Sequence, residues 1–333
     1  MSKKKVLIIS CLPLYPVRSG FQNTNYLLYK FLTKKFKVNF LNVNNTNKYD
    51  PVINLKVLKI HINKILYYNP NFIFITTTKL SLILSDYLKK IKKKPIIICH
   101  DLYRFRKIYF KKNNIVDRNS ISKSDELKII KMSKFIFDIS KEEKNYLVKE
   151  NIPRKKIVFT HTPIEFKNKL PFKNKKFDFI FSGSSWFQNT LNLKKIFNKE
   201  IKFFKDKNIL IMGTQKNNLQ TKYKKIKFEK FNKNFYLYSK IGLAPIKYEN
   251  GRNVKIFEMF SYGLPVFTNV NLTEYGLEDK KHYFLIKNNK WEEILSHFYH
   301  RDDFLKSVGR NARFWSRKNS NYLQGFKTIL NRM

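Results

Sequence analysis

The sequence predicts an α/β protein built from two doubly wound domains in tandem. Short apolar runs alternate along the chain with longer segments whose apolar residues recur at helical spacing. Most of these short runs are apolar on both faces, which is typical of parallel strands covered by helices on both sides. The alternation is interrupted once, at residues 165–177, where a charged stretch with one proline predicts the linker between the domains. A chain of 333 residues is long enough for two domains of ordinary size.

The first half of the chain contains six predicted strands with helices between them. The strands are residues 5–10, 37–43, 71–77, 95–100, 135–140 and 156–161. The helices are residues 23–36, 80–92, 124–132 and 141–150. This order predicts a first domain over residues 1–165 with a parallel sheet.

The second half repeats the pattern and ends in helices. Its predicted strands are residues 177–183, 208–213, 241–246, 264–269 and 283–288. Its predicted helices are residues 190–204, 216–223, one within 249–269 and three within 289–333. We assign residues 177–312 to the second domain and residues 313–333 to a C-terminal helix that packs back toward the first. Ligands of open parallel sheets bind beyond the carboxyl ends of the strands, so the expected site is the cleft between the two domains.

The chain is strongly basic, with 68 Lys and Arg against 24 Asp and Glu and a net charge of +44. This charge fits an anionic partner: nucleic acid, an anionic membrane surface or a phosphorylated substrate. The basic runs are scattered along the chain, which favours a general compositional bias toward Lys, Asn, Ile, Phe and Tyr as the main cause of the charge. Nucleic acid and membrane partners stay open at this point.

The cellular compartment is indicated by the cysteines and by the N-terminus. Cys11 and Cys99 end apolar runs and are too few for a disulfide framework, which is typical of the cytosol. The opening "MSKKKVLIIS" has no clear cleavage site after it and fits a first strand better than a signal peptide. No segment has the ~18 consecutive apolar residues of a membrane-spanning helix. We expect a cytoplasmic protein, either soluble or peripheral at the inner face of the membrane.

Three predicted strand ends in the two domains carry residues suited to phosphates and sugars. Gly20 directly precedes a helix, where the backbone can approach an anion closely. His100 and Asp101 follow a buried strand, and a histidine there can bond a sugar hydroxyl or transfer a proton. Gly183 and Ser184 follow the first strand of the second domain, and their small size lets a phosphate approach. Each of these positions also fits an ordinary turn.

The stretch "ENGRNVKIFEMFSYGLPVFTN" at residues 249–269 joins a glycine turn to an amphipathic helix. Free N–H groups at the start of the helix, with Arg252 and Lys255, suit a diphosphate. Glu258 lies further into the helix, where a carboxylate is suited to accept two hydroxyl hydrogen bonds, as from a ribose. The alternative is that Glu258 is an exposed acid on a surface helix.

This stretch resembles the donor-binding motif of the retaining GT-B glycosyltransferases known as "glycosyl transferases group 1". The match runs through "KIFEMFSYGLPVF" from Lys255 onward. Three further stretches resemble family motifs in the same order: "PLYPVRSG", "FIFDISKEEKNYL" and "FSGSSWFQNTLNL". The resemblance covers about residues 4–315.

The resemblance implies two Rossmann-like domains facing each other across a cleft, with acceptor binding in the first and nucleotide-sugar binding in the second. It also implies a glycosyltransferase that retains configuration, uses a UDP- or GDP-sugar and needs neither a metal nor a cofactor. The implied acceptor is a saccharide or a lipid-linked sugar of cell-surface polysaccharide synthesis. A DNA glycosyltransferase, a non-catalytic GT-B-like binding protein and a nucleotide-sugar epimerase are the alternatives.

Family roles transfer to this sequence by position. Glu258 is expected to bind the ribose, His100 to face the transferred sugar with Asp101 beside it, and Gly20 to lie near the phosphate. The remaining substrate-binding positions that the resemblance implies are Gly183, Ser184, Asn189, Asn250, Gly251, Arg252, Asn253 and Lys255.

Two features depart from the family pattern. Many members carry an earlier glutamate, with seven residues between it and the second one. That position is Asn250 here, and Glu249 lies one residue before it, so either residue is a candidate; we take Glu249 as the catalytic one. The family's usual Arg/Lys pair after the strand at 177–183 is not evident. Its role would then fall to Arg252, Lys255 or another lysine.

Overall fold

The computed structural model describes most of the chain. Its described ranges are residues 3–17, 19–43, 67–112, 114, 121–137, 140–166, 174–183, 187–197, 201–213, 223–246 and 253–333. The predicted helix at 216–223 and the centre of the predicted linker lie almost entirely outside these ranges. No helix in the described ranges combines the length and the apolar character needed to cross a membrane.

The first domain is built on a six-stranded parallel sheet with the strand order β2-β1-β3-β4-β5-β6. The strands are β1 Lys5–Ser10, β2 Lys37–Asn42, β3 Phe72–Thr76, β4 Ile96–Ile98, β5 Phe135–Phe137 and β6 Ile157–Val158. Along β1, Val6 and Ile8 face one buried cluster while Leu7 and Ile9 face another. This alternation is why the strand is apolar at every position: helices cover both of its faces.

Six described helices belong to the first domain. They are α1 Gly20–Leu32, α2 Thr78–Ile83, α3 Ser85–Lys90, α4 Tyr103–Lys112, α5 Lys123–Met132 and α6 Lys141–Lys149. The single helix predicted at 80–92 is therefore two short helices. Helix α4 was not predicted, because its residues mix basic and aromatic types without a clear apolar period. Its first turn is capped from α5, since the N–H groups of Tyr103 and Arg104 donate to the Glu126 carboxylate.

The second domain repeats this architecture, with the strand order β12-β11-β10-β7-β8-β9 and all strands parallel. The strands are β7 Phe177–Gly183, β8 Ile209–Gly213, β9 Ile226–Glu229, β10 Ser239–Ala244, β11 Val266–Thr268 and β12 Phe284–Leu285. The edge strand β9 was not predicted. It has only four residues, none fully buried, and two of them are Lys227 and Glu229, so it lacks the apolar run that marks the other strands.

The helices of the second half are α7 Phe187–Phe197, α8 Val254–Ser261, α9 Trp291–Tyr299, α10 Asp302–Asn319 and α11 Tyr322–Leu330. Helix α8 is held in place by α10. At Gly309 of α10, a Cβ atom would lie 2.1 Å from the carbonyl oxygen of Gly263, so only glycine allows this approach. Arg313 of α10 donates to the carbonyl oxygen of Ser261 at 2.6 Å, at the end of α8.

The chain returns to the first domain after α10. The ring centroids of Phe326 in α11 and Phe31 in α1 are 5.6 Å apart. Where the chain crosses back, the Ile164 N–H donates to the Ser320 carbonyl at 2.7 Å, so the two crossing segments lie side by side. The predicted boundary at residue 313 falls inside α10, whose Trp315 packs with the second domain.

Candidate active site

The first turns of α1 and α8 meet between the two domains. Gly20 begins α1, and a Cβ atom there would lie 2.9 Å from Cγ2 of Val254, the first residue of α8. The branched side chain of Val254 has little freedom to move away from a Cβ atom at that distance. The close approach of the two helices therefore requires glycine at position 20. Because both helices start here, their N-terminal N–H groups and partial positive charges lie close together in the cleft.

A run of four polar residues on α1 is buried at this contact. Gln22, Asn23, Thr24 and Asn25 are each at most 5% exposed. The Gln22 side chain donates to the Pro13 carbonyl at 3.0 Å and thereby fixes the loop after β1. Four consecutive polar positions cover every side of a helix, so this turn is enclosed by the protein all round. No local pattern in the sequence predicted these residues as part of the site.

Glu258 lies in this cleft and is 6% exposed. The Nζ atom of Lys233 lies 2.6 Å from its Oε1 atom and also donates to Oδ1 of Asn23 at 3.3 Å. A buried carboxylate is costly unless it is paired, and Lys233 provides the pairing. Lys233 thus connects the carboxylate of the second domain to helix α1 of the first. Lys233 follows the unpredicted strand β9, and no local sequence signal marked it.

Two tyrosines lie near the Glu258 carboxylate. Tyr236 is fully buried and donates to Oγ of Ser182 at 2.7 Å. Burial raises the pKa of Tyr236 well above its ordinary value, and the negative charge of Glu258 adds to this effect. Burial, and then the charge of Glu258, raises the pKa of Tyr262 to about 12. Both phenols therefore stay protonated near neutral pH.

Lys255 lies one turn before Glu258 on α8 and points toward the end of β7. Its Nζ atom donates to Oδ1 of Asn189 at 2.5 Å and lies 4.7 Å from the ring centroid of Phe181. Burial lowers the pKa of Lys255 to about 7. Lys255 and Asn189, two of the predicted substrate-binding residues, are thus in contact. Near neutral pH this lysine is therefore only partly charged, and an approaching anion favours its charged form.

Two glycines end the neighbouring strands β7 and β8. Gly183 and Gly213 are paired in the sheet, and Gly213 has φ +125°. A Cβ atom on Gly213 would lie 1.9 Å from the Gly183 carbonyl oxygen, so this position admits only glycine. Gly183 itself approaches the Asn189 side chain, since its Cβ atom would lie 3.0 Å from Cγ of Asn189. Gly213 was not predicted as a site residue, although its place at a strand end was visible.

His100 lies at the carboxyl end of the first sheet, beside the start of α1. Its ring centroid is 3.9 Å from that of Phe21, the residue after Gly20. His100 is half-buried, whereas Asp101 is exposed. The predicted positions His100 and Gly20 are therefore brought to the same part of the cleft.

Two buried glutamates hold the loop that follows His100. The Leu102 N–H donates to Glu143 at 2.7 Å, and the Tyr103 N–H donates to Glu126 at 3.0 Å. Burial raises the pKa of Glu126. Glu143 also forms a capping box with Ser140 at the start of α6. The spacing of Ser140 and Glu143 in the sequence indicates the cap. No local pattern indicates that Glu143 also contacts the distant loop at Leu102.

Several predicted residues fall outside the described part of the chain: Ser184, Glu249, Asn250, Gly251 and Arg252. Their roles, and the choice between Glu249 and Asn250, stay predictions. Asn253 is described at the N-cap of α8, where its side chain makes no capping hydrogen bond. Among the described residues, no cluster of three or more His, Cys, Asp and Glu side chains could hold a metal ion; metal-independent chemistry also stays a prediction.

Solved structures share this architecture over nearly the whole chain. Sucrose-phosphate synthase from Thermosynechococcus elongatus has a TM-score of 0.77 at 10% identity, covering 99% of this chain and 98% of that one. The chain has the GT-B fold. HepE from Anabaena, solved in complex with UDP-glucose, has a TM-score of 0.69 at 9% identity and covers 99% of this chain and 100% of its own. A glycosyltransferase from Rickettsia africae has a TM-score of 0.63 at 16% identity, covering 100% of this chain and 98% of that one.

These neighbours confirm the predicted fold and the resemblance to GT-B glycosyltransferases. No protein-family model and no curated protein matches the sequence. At such low identities the likeness extends to the GT-B architecture and leaves the chemistry to be argued from the site.

Proposed function

We propose that the protein is a glycosyltransferase that moves a sugar from a UDP- or GDP-sugar to a saccharide or lipid-linked acceptor. The observation that carries this proposal is the position of Glu258. Its carboxylate is buried between the domains, one turn from Lys255 and linked through Lys233 to α1 of the first domain. HepE, which has the same fold, was solved in complexes with UDP-glucose and with UDP and glucose.

The donor would lie across the start of α8. The ribose hydroxyls would donate to the Glu258 carboxylate, which can accept both. The diphosphate would lie at the first turn of α8, where N–H groups and the helix dipole favour negative charge. Lys255 would add a full positive charge there once the diphosphate raises its pKa.

The chemical step requires stabilisation of the departing diphosphate. The bond between the anomeric carbon and the diphosphate oxygen breaks, and a bond from the acceptor oxygen to that carbon forms. The acceptor proton passes to the departing diphosphate. We propose that the acceptor attacks from the face that the diphosphate leaves, which retains configuration without an enzyme nucleophile or a metal ion. Pre-oriented N–H groups and Lys255 then meet the developing negative charge.

The first domain would supply the acceptor side. His100, beside Phe21 and the start of α1, would hydrogen-bond the transferred sugar. Asp101 and Glu249 complete the proposed catalytic set. Closure of the cleft would exclude water, which otherwise hydrolyses the donor.

A thermal-shift screen of nucleotide sugars tests the donor assignment. A true donor at 100 times its Kd stabilises the folded protein by about 2.7 kcal/mol, which gives a clear rise in Tm. The Glu258→Gln variant should lose about half or more of this rise, whereas Glu274→Gln, a change at an exposed acid of the same domain, should keep it. If no UDP- or GDP-sugar raises the Tm, the proposed function is wrong.

We further propose a role in cell-surface polysaccharide synthesis at the inner face of the membrane. A net charge of +44 favours attraction to anionic lipid, at about 1 kcal/mol for each basic residue near the surface. Release of UDP or GDP that increases with a lipid-linked or saccharide acceptor distinguishes this enzyme from a non-catalytic binding protein. Transfer to DNA with steep salt dependence would instead support the nucleic-acid alternative.

A further inference from the structure

A lysine-lined pocket lies at the amino edge of the first sheet, at the opposite end of the strands from the cleft. It is formed where the chain enters β3, β4, β5 and β6, and its volume is about 410 Å³. Five of its eight lining residues are lysines: Lys92, Lys93, Lys94, Lys134 and Lys156. This feature has no part in the donor site described above.

A second pocket of about 380 Å³ adjoins the first. The two share Lys92, Lys93 and Lys94, so this segment forms the wall between them, and the second adds Lys89 and Lys131. Among the described residues, neither pocket is lined by an aspartate or a glutamate. Asp86 pairs at 2.9 Å with Lys89, which lines the second pocket. The shared wall thus concentrates positive charge in a concave surface.

Two of these ammonium groups, those of Lys156 and Lys134, are held in place by the fold. Lys156 donates to the Ser133 carbonyl at 2.9 Å and to the Lys131 carbonyl. Lys134 donates to the Met333 carbonyl oxygen at 2.7 Å and lies 5.2 Å from the ring centroid of Phe72. Burial, followed by the charges of Lys94 and Lys155, lowers the pKa of Lys156. Like charges held this close together repel each other, and a bound anion would relieve the repulsion.

We propose that the first pocket binds the phosphate group of an anionic ligand. A phosphate offers several acceptor oxygens, and each ammonium group offers three donors, so two or three of these lysines satisfy one phosphate. The volume accommodates a lipid headgroup phosphate or a soluble pyrophosphate. The two sources share this chemistry, and the experiment below separates them.

The test compares two triple variants that remove the same charge. Lys92→Asn/Lys93→Gln/Lys94→Gln removes the shared wall, and asparagine is chosen at 92 because φ is +53° there. Its matched control changes three exposed lysines of the second domain, all to glutamine: Lys224, Lys225 and Lys230. Unfolding temperatures measured without ligand verify that both variants fold. The single variant Lys93→Glu repeats the test with minimal change.

Binding is measured with two probes, and binding of duplex DNA is measured for comparison. Inorganic pyrophosphate is titrated by calorimetry with UDP in excess to fill the cleft, and vesicles of phosphatidylcholine with phosphatidylglycerol are tested by co-sedimentation. We expect the pocket variant to lose about 10-fold or more in affinity for at least one probe, a change of about 1.4 kcal/mol, while the control stays within about 2-fold. Loss for pyrophosphate alone indicates a soluble ligand, and loss for vesicles alone indicates a headgroup.

Three results would overturn the proposal. Equal losses in both triple variants would show that only the overall charge matters. If the wild-type protein binds neither probe, the proposed site does not exist. Selective loss of duplex DNA binding in the pocket variant, without binding of pyrophosphate or vesicles, would assign the surface to nucleic acid instead.

Discussion

Donor binding should be coupled to proton uptake by Lys255. In the unliganded protein, burial lowers the pKa of this lysine to about 7, so at pH 8 only about a tenth of the molecules carry its charge. A diphosphate at the start of α8 favours the charged form and raises that pKa. Binding should then take up about 0.9 proton per donor at pH 8 and only about 0.1 at pH 6, where Lys255 is already charged.

Calorimetry in buffers of different ionisation enthalpy measures this uptake directly. The slope of the observed binding enthalpy against the buffer enthalpy gives the number of protons. A nucleotide sugar is the suitable ligand, because its diphosphate carries no group that titrates near neutral pH. The Lys255→Met variant should bind more weakly and show a slope near zero at pH 8. Tight binding with a zero slope in the wild-type protein, or an unchanged slope in the variant, would refute the assignment of Lys255 to the diphosphate.

Three further variants test the site and its support. Glu258→Gln should raise the donor KM by about 10- to 100-fold, because a hydrogen bond to a charged group contributes roughly 1.5–3 kcal/mol. Steady-state kinetics measures this KM, and Glu274→Gln should change it little. Lys233→Met leaves the Glu258 charge unpaired and should lower the free energy of unfolding, measured in urea, by about 2 kcal/mol. This loss is smaller than for a fully buried pair because the Lys233 side chain is 27% exposed. The double variant Lys233→Met/Glu258→Gln should recover most of the lost stability. Gly309→Ala forces a Cβ atom against the Gly263 carbonyl and should be strongly destabilising, whereas Gly325→Ala, whose Cβ meets only Thr160 at 3.9 Å, should be neutral or stabilising by up to about 1 kcal/mol.

The fold could be predicted because strands that are buried on both faces are apolar at consecutive positions in the sequence. β1 and β7 were predicted with the bounds that the structure has, since each contains a continuous apolar run flanked by polar residues. The elements that were missed depend on partners distant in sequence. Helix α4 takes its cap from Glu126 in the next helix, and β9 is an edge strand that pairs with β8 alone.

The site was predictable only where one motif carries it. Lys255 and Glu258 lie on the same helix, so the sequence placed them together. Lys233 and Asn23 come from different domains and meet only because the two sheets face each other. The sequence shows Gly213 at the end of a predicted strand. The requirement for glycine there comes from the neighbouring strand, because a Cβ atom on Gly213 would clash with the Gly183 carbonyl oxygen.

The contact of Lys233 with both Glu258 and Asn23 has a consequence for the order of events in the cleft. The carboxylate proposed to bind the ribose is already occupied by an ammonium group that also touches the first domain. A ribose that donates two hydrogen bonds to the Glu258 carboxylate would therefore compete with Lys233 at Oε1. Since Lys233 also bonds Asn23, displacing it would weaken one link between the domains when the donor binds. In the proposed complex, donor binding and domain contact would thus be coupled through one side chain, and the coupling would be reciprocal.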